Sequence, residues 1–274
     1  MFYPQVLVLG PGGIKSLLAL GALFRLNQED ILSKTHTFIG VSAGSLISLL
    51  LVAGYSIEDI VVEAVGEDLL HDVAVINFSA SKENMGLIEH TKIRERLCNK
   101  IKAKFGKILT LKQLYLATGR SYISVASNLE EEKPHYFSWE TDPDLSCVEA
   151  ALYSMNIPFV FQKLNYNGLT MVDGALTDPC PVLYKDDGNT DILAISVSSS
   201  RAGEGILKYF NLVIQTPMTR LKEIALSQAS SHCKHIDIAC PTLDTLGFSL
   251  NAKNKSELLI LGYKEAENFL KNLG

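Results

Sequence analysis

The sequence predicts an α/β fold, a parallel sheet covered on both faces by helices. Three observations point there. Short, continuously apolar, β-rich runs at 6–9, 37–41 and 191–197 have the pattern of strands buried on both faces. Between them apolar residues recur at helical spacing, an alternation that builds parallel sheets. Glycine-containing turns after the runs ending at Leu9, Val41 and Val172 then mark the ends of strands. In such sheets ligands bind at the carboxyl ends of the strands, so these turns would share one functional rim.

A chain of 274 residues, 47% hydrophobic and 20% charged, suits one large domain over 1–274, whereas two would be cramped. Lys and Arg number 25 against 30 Asp and Glu, a net charge of -5, which offers no broad basic footprint and argues against a nucleic-acid partner. Cys98, Cys147, Cys180, Cys233 and Cys240 are odd in number and scattered, which fits reduced thiols rather than a disulfide framework. The N-terminal stretch lacks the basic region of a Sec signal peptide. The apolar run at 49–54 falls far short of the roughly 20 residues of a membrane helix. These features predict a protein that is cytoplasmic or peripheral to membranes, without a transmembrane helix.

Taken in order, the first strand at 6–9 breaks at Gly10-Pro11-Gly12-Gly13, and Leu17, Leu18, Leu20, Leu23, Phe24 and Leu26 continue at helical spacing. A second strand at 37–41 enters a turn at Ser42 and a helix at 43–53, stopped by Gly54. Ser56 caps a helix reaching about residue 66, with Glu58 and Asp59 in its first turn. The stretch 67–90 has no clean period and is read as a cap. Ile93, Leu97, Ile101 and Phe105 form a narrow stripe among Lys and Arg, giving a helix at 91–105 with a solvated basic face. The alternative, contact with anionic headgroups, is a weaker reading of those charges. A helix at 111–117 follows. Strands at 122–127 and 135–138 flank an acidic turn, Glu130-Glu131-Glu132, read as solvated surface. A helix at 147–155 ends before Ile157-Pro158, and a strand at 169–172 enters Asp173-Gly174-Ala175. Beyond the strand at 191–197 come helices at 206–215 and 219–231, a strand at 235–239 and a helix at 255–273. No repeat or linker interrupts this order.

Three stretches carry chemistry. Gly40-Val41-Ser42-Ala43-Gly44 is a G-x-S-x-G core between strand and helix, where Ser42 would be lifted out of the sheet as a nucleophile and Gly40 and Gly44 permit close packing. Chance alone supplies this motif in about one chain in ten of this size, so it needs company. Gly12 and Gly13 precede a helix N-terminus, whose unpaired N–H groups and dipole favour negative charge. A nucleotide phosphate is the poorer occupant, since the spacing before Lys15-Ser16 matches neither a Walker A loop nor G-x-G-x-x-G. The third stretch is the D-G-A turn at Asp173.

Together, and in this order, the glycine loop before Lys15, the serine turn and the D-G-A aspartate resemble the patatin-like phospholipase family. Further echoes lie in 125–128, 134–138 and 150–161, including Ser154, and the resemblance covers roughly 5–200. It implies a three-layer α/β/α sandwich with a mostly parallel central sheet. The activity implied is a lipid acyl hydrolase of phospholipase A type: Ser42 nucleophile, Asp173 base, no intervening histidine, and an oxyanion hole at Gly12 and Gly13. Lys15 would shape the oxyanion loop or meet an anionic headgroup, the alternative being a solvated surface lysine; Gly40, Gly44 and Gly174 would be supporting positions. The resemblance implies phospholipid or another lipid ester as substrate, transient contact with a membrane surface, and neither cofactor nor metal. Two departures are local. Pro11 stands where a glycine is usual and has no N–H to donate, and Ser16 replaces the glycine that usually follows the basic residue.

Rival readings remain at this level. The order Ser42, Asp173, then His232 or His235 also suits a histidine-dependent α/β-hydrolase, although this elbow follows only the second strand. Cys233, His235 and Cys240 are too few for a tetrahedral zinc site and are read as core filling. A non-catalytic lipid-binding or regulatory protein on the same fold is the remaining alternative.

Overall fold

In the computed structural model, described over residues 2–66, 86–198, 205–240 and 252–273, the sheet grows outward from β1 (Val6–Leu9). β2 (Thr37–Val41) pairs parallel on one side, in register from Val6↔Thr37 to Leu9↔Gly40, and β9 (Ile192–Ser198) pairs parallel on the other. β4 (Ser121–Asn128) lies beyond β2 and β10 (Cys233–Ala239) beyond β9, again parallel. Every residue of β1 and β2 is buried, as unbroken apolar runs require. Their side chains alternate between two cores. Leu7, Leu9, Phe38 and Leu193 join α1 (Ser16–Gln28), α2 (Ala43–Val52), α6 (Cys147–Ser154) and α8 (Ala252–Leu273). Val6, Val8, Ile39 and Val41 join Ala225 of α7 (Gly205–Gln228) on the opposite face. The result is the expected three-layer α/β/α arrangement.

Where the sheet departs from parallel, it does so around β4. Residues Thr37 to Val41 of β2 occupy one edge of β4 as far as Val125. β5 (Lys133–Phe137) pairs antiparallel with β4 over residues 124–128 and therefore takes the opposite edge. β8 (Leu169–Asp173) covers what β2 leaves open, pairing antiparallel at Ala126↔Asp173, Ser127↔Val172 and Asn128↔Met171. β2 and β8 thus run toward each other along one edge and meet end to end. β7 (Leu164–Tyr166) completes a hairpin with β8.

Several elements differ from expectation for identifiable reasons. The acidic turn is exposed but not idle: the Glu130 carboxylate accepts the Thr170 N–H and the Thr170 hydroxyl, each at 2.6 Å, and so holds the start of β8. The basic face of α4 (Thr91–Phe105) is docked at three positions, while Lys92 and Lys102 stay exposed as expected. Arg94 donates to both Glu149 oxygens at 2.7 and 3.0 Å, Lys100 pairs with Glu63 of α3 (Ile57–Gly66) at 2.6 Å, and Lys104 donates to the Gly54 carbonyl at 3.1 Å. The two helices expected at 206–215 and 219–231 are one, α7, with Pro217 inside. Proline deprives the Val213 carbonyl of its helical donor, but Val213 and Pro217 are both exposed, so water can replace it. The Thr216 hydroxyl donates to the Leu212 carbonyl at 2.7 Å in the same turn.

Most of the segment read as a cap, 67–85, lies outside the described residues. Its end forms β3 (Gly86–Ile88), paired parallel with β6 (Phe159–Phe161) apart from the main sheet. All five cysteines are free thiols. Among the described residues no helix is long and apolar enough to cross a membrane.

Candidate active site

β2 ends at Val41 and α2 begins at Ala43, so Ser42 alone makes the turn, with φ 56° and ψ -128°. Positive φ is uncommon for a residue with a side chain and costs on the order of 1–3 kcal/mol. The close approach on either side leaves room only for glycine. A Cβ on Gly40 would strike the Ser45 backbone, and one on Gly44 the Leu9 carbonyl. The Ser42 N–H donates to Ser154 Oγ at 2.9 Å. Behind the turn, Ser45 Oγ lies 2.6 Å from the Tyr122 hydroxyl and 2.7 Å from Ser124 Oγ, which donates to the Ala150 carbonyl, pinning α2 to β4 and α6.

Asp173 arrives at this turn from the opposite direction as the last residue of β8. Its buried carboxylate accepts the Ala175 N–H at 2.9 Å, with the Ser42 hydroxyl beside it. Burial pushes its pKa from the ordinary 3.8 up to about 6, while the Ser42 hydroxyl and the Ala175 N–H, which favour the charged form, restrain the rise. The Asp173 N–H donates to the Asn156 carbonyl at 2.8 Å, and Asn156 Nδ2 donates to the Met171 carbonyl at 2.7 Å. Gly174 lies hard against β4, where a Cβ would strike the Val125 carbonyl.

The third component follows β1. Gly10 N–H donates to the Ile195 carbonyl at 2.9 Å, and the chain then turns through Gly13 at φ 53° into a 3-10 turn, Gly13–Lys15, ahead of α1. Among the described residues no backbone carbonyl accepts from the N–H of Gly12 or Gly13. Lys15 is buried, which excludes the solvated-lysine reading; desolvation lowers its pKa, partly offset by the neighbouring Cys240 thiol. The Ser16 hydroxyl is buried behind the loop with no partner among the described residues.

Gly12, Gly13, Lys15, Ser42 and Asp173 all line one cleft of about 530 Å³. Its size suits a small-molecule site. Ile157, Pro158, Val160, Leu176, Leu212 and Met218 give it an apolar wall, and Ser196, Ser198 and Lys222 a polar end. Neither His232 nor His235 bonds to Ser42 or Asp173. His232 bonds Asp191 at 2.8 Å, at the amino end of β9, and His235 Nε2 lies 2.8 Å from Ser196 Oγ. Among the described residues no histidine bonds Ser42 or Asp173, so the Ser-Asp-His arrangement through either is not formed. Nor do three or more His, Cys, Asp or Glu side chains there gather as metal ligands. Asn156 is the residue that motif reading missed, and Ser154 enters it only as part of a resembling segment without a role, because their contacts run to backbone elsewhere in the chain and leave no local pattern.

Fold and site define a three-layer α/β protein in which a serine on a strand-to-helix turn and a buried aspartate line the same cleft. The patatin-like phospholipase profile matches residues 7–184, and the chain belongs to that family. The "Probable lipid hydrolase 463L" of Invertebrate iridescent virus 6 is 30% identical over 183 residues, 66% of this chain and 62% of that protein. The "Uncharacterized protein R571" of Acanthamoeba polyphaga mimivirus is 24% identical, over 95% of this chain and 92% of its own length. Among solved structures, VipD from Legionella pneumophila superposes with TM-score 0.61 at 14% identity, over 98% of this chain and 67% of VipD. The type III effector ExoU of Pseudomonas aeruginosa superposes with TM-score 0.58 at 14% identity, over 98% of this chain and 53% of ExoU. At such identities the structural likeness is one of fold. The chain therefore spans less than two thirds of the iridescent-virus relative and about half of ExoU.

Proposed function

We propose that this chain is a lipid acyl hydrolase of phospholipase A type, working through Ser42, Asp173 and an oxyanion hole at Gly12 and Gly13. The observation that carries the reading is the convergence of the strained Ser42 turn, the buried Asp173 carboxylate and the Gly12–Gly13 loop on one cleft with an apolar wall. Family membership and the iridescent-virus lipid hydrolase support the same substrate class.

In this mechanism Ser42 Oγ attacks the ester carbonyl while its proton passes to Asp173. A carboxylate of ordinary pKa is a poor base, and one raised to about 6 is better matched to neutral pH. The oxyanion of the tetrahedral intermediate accepts from the Gly12 and Gly13 N–H groups, donors whose individual loss typically costs about 3–4 kcal/mol. Pro11 takes no part, having no N–H. Collapse expels the alcohol, which takes the proton from Asp173 and leaves an acyl-Ser42 ester. Water then attacks that ester, giving one proton to Asp173, which returns it to Ser42 Oγ as the fatty acid departs. The apolar wall would hold the acyl chain, and the face bearing the cleft would meet the lipid surface transiently.

The test is covalent labelling with a fluorophosphonate, followed by incubation with defined phospholipids and mass spectrometry of released fatty acids. Labelling of the wild type and none of Ser42→Ala is expected. Equal labelling of both, or no fatty acid from any lipid, would transfer support to the lipid-binding alternative.

A further inference from the structure

The stretch that ends α6 touches both members of the proposed pair. Ser154 is the last residue of that helix, and its hydroxyl accepts the Ser42 N–H at 2.9 Å. Two residues on, the Asn156 carbonyl accepts the Asp173 N–H at 2.8 Å, and Asn156 Nδ2 donates to the Met171 carbonyl at 2.7 Å. Ser154 and Asn156 are 0% and 1% exposed.

We infer that residues 154–156 form a positioning clamp that sets the separation of nucleophile and base, Ser154 holding the Ser42 backbone and Asn156 the strand end that carries Asp173. The inference rests on the Ser42–Asp173 reading proposed above. Three lines of chemistry carry it. The Ser42 N–H stands at a helix N-terminus, where amides lack intrahelical acceptors, and at φ 56° its peptide orientation dictates where Oγ points. Without an acceptor that peptide is free to rotate toward an ordinary conformation. Both anchors also lie within three residues, which span at most about 10 Å, so one cannot drift from the other. Finally, a fully buried hydroxyl is costly unless bonded, so an alanine would serve better at the end of α6 if packing alone mattered. The clamp is itself fixed, since Ser124 Oγ donates to the α6 carbonyl of Ala150 at 2.7 Å.

The experiment compares wild type, Ser154→Ala and Ser154→Thr for fluorophosphonate labelling rate, kcat and KM on a short-chain aryl ester, the pH midpoint of labelling, and deuterium exchange at residues 42–44. Ser154→Ala is expected to label about 100-fold more slowly, the scale of an ångström-sized misplacement. KM should stay within about threefold, because ground-state binding is untouched. The pH midpoint should rise above the wild-type value, since a displaced Ser42 no longer holds down the Asp173 pKa. Exchange should quicken at residues 42–44, and Ser154→Thr, which keeps the acceptor, should restore most of the rate. If Ser154→Ala does not fold, Ser154→Cys, similar in size and a poor acceptor, replaces it with the same expectations. A variant that labels at the wild-type rate with the wild-type midpoint overturns the clamp while leaving the enzyme reading intact. If the wild type itself does not label, the enzyme reading fails and exchange alone decides: faster exchange in the variant supports the clamp, unchanged exchange overturns it.

Discussion

Replacing Asp173 with asparagine should make the protein more stable at neutral pH while disabling it. Burial raises the Asp173 pKa from 3.8 to about 6, a shift of about two units, and each unit corresponds to 1.36 kcal/mol. Because the folded pKa lies above the unfolded one, the folded state binds the proton more tightly. Stability is therefore undiminished below about pH 4 and falls as the pH rises from about 4 to about 6. Above that window the ionised carboxylate costs about 3 kcal/mol. Asparagine keeps the shape and the acceptor for the Ala175 N–H without the charge. Urea unfolding at pH 7.5 should show Asp173→Asn ahead by up to about 3 kcal/mol, with the gap shrinking to about half at pH 5. Turnover should drop by about two to four orders of magnitude, the usual worth of a general base. A variant less stable than wild type at pH 7.5, or a gap independent of pH, would refute the reasoning.

Two further outcomes follow from local features. The buried Ser16 hydroxyl has no partner among the described residues, and such groups cost about 1–3 kcal/mol, so Ser16→Ala should be neutral or gain up to about 1 kcal/mol by denaturant titration. A clear loss of stability would mean that this hydroxyl is bonded after all. Pro217 sits inside α7 at an exposed position, and proline is about 3 kcal/mol worse than alanine in a helix interior. Pro217→Ala should therefore raise the unfolding free energy by about 1–3 kcal/mol; no gain would show that the break is relieved by more than water at Val213.

What could be read from the chain depended on where its information lies. The central strands were legible because burial on both faces demands unbroken apolar runs, as in Val6–Leu9. The Ser42 turn was legible because strand, helix and close packing each constrain neighbouring residues. Pairing was less so. β8 runs antiparallel beside a parallel core, and its apolar pattern is the same in either direction. The short strands β3 and β6 pair with each other apart from the main sheet, and three residues are too few for a period to be read. Charge was the least legible feature. Arg94, Lys100 and Glu130 are typical surface residues until Glu149, Glu63 and Thr170 are brought to them by the fold. The break expected at Pro217 failed because solvent on that side of α7 can stand in for a missing donor.

The end-to-end meeting of β2 and β8 on one edge of β4 makes that strand a ruler. A one-residue slip of either neighbour would move its tip by about 3.3 Å and turn its side chains to the other face, parting Ser42 from Asp173. Changes of length in the connections do neither. Loops between the two residues, residues 154–156 excepted, can lengthen, shorten or be replaced, provided that β4 and its two partners keep register. Diversification of the rim and preservation of the reacting pair are thereby assigned to different segments of the chain, so an engineer could graft new walls onto the cleft without retuning its centre.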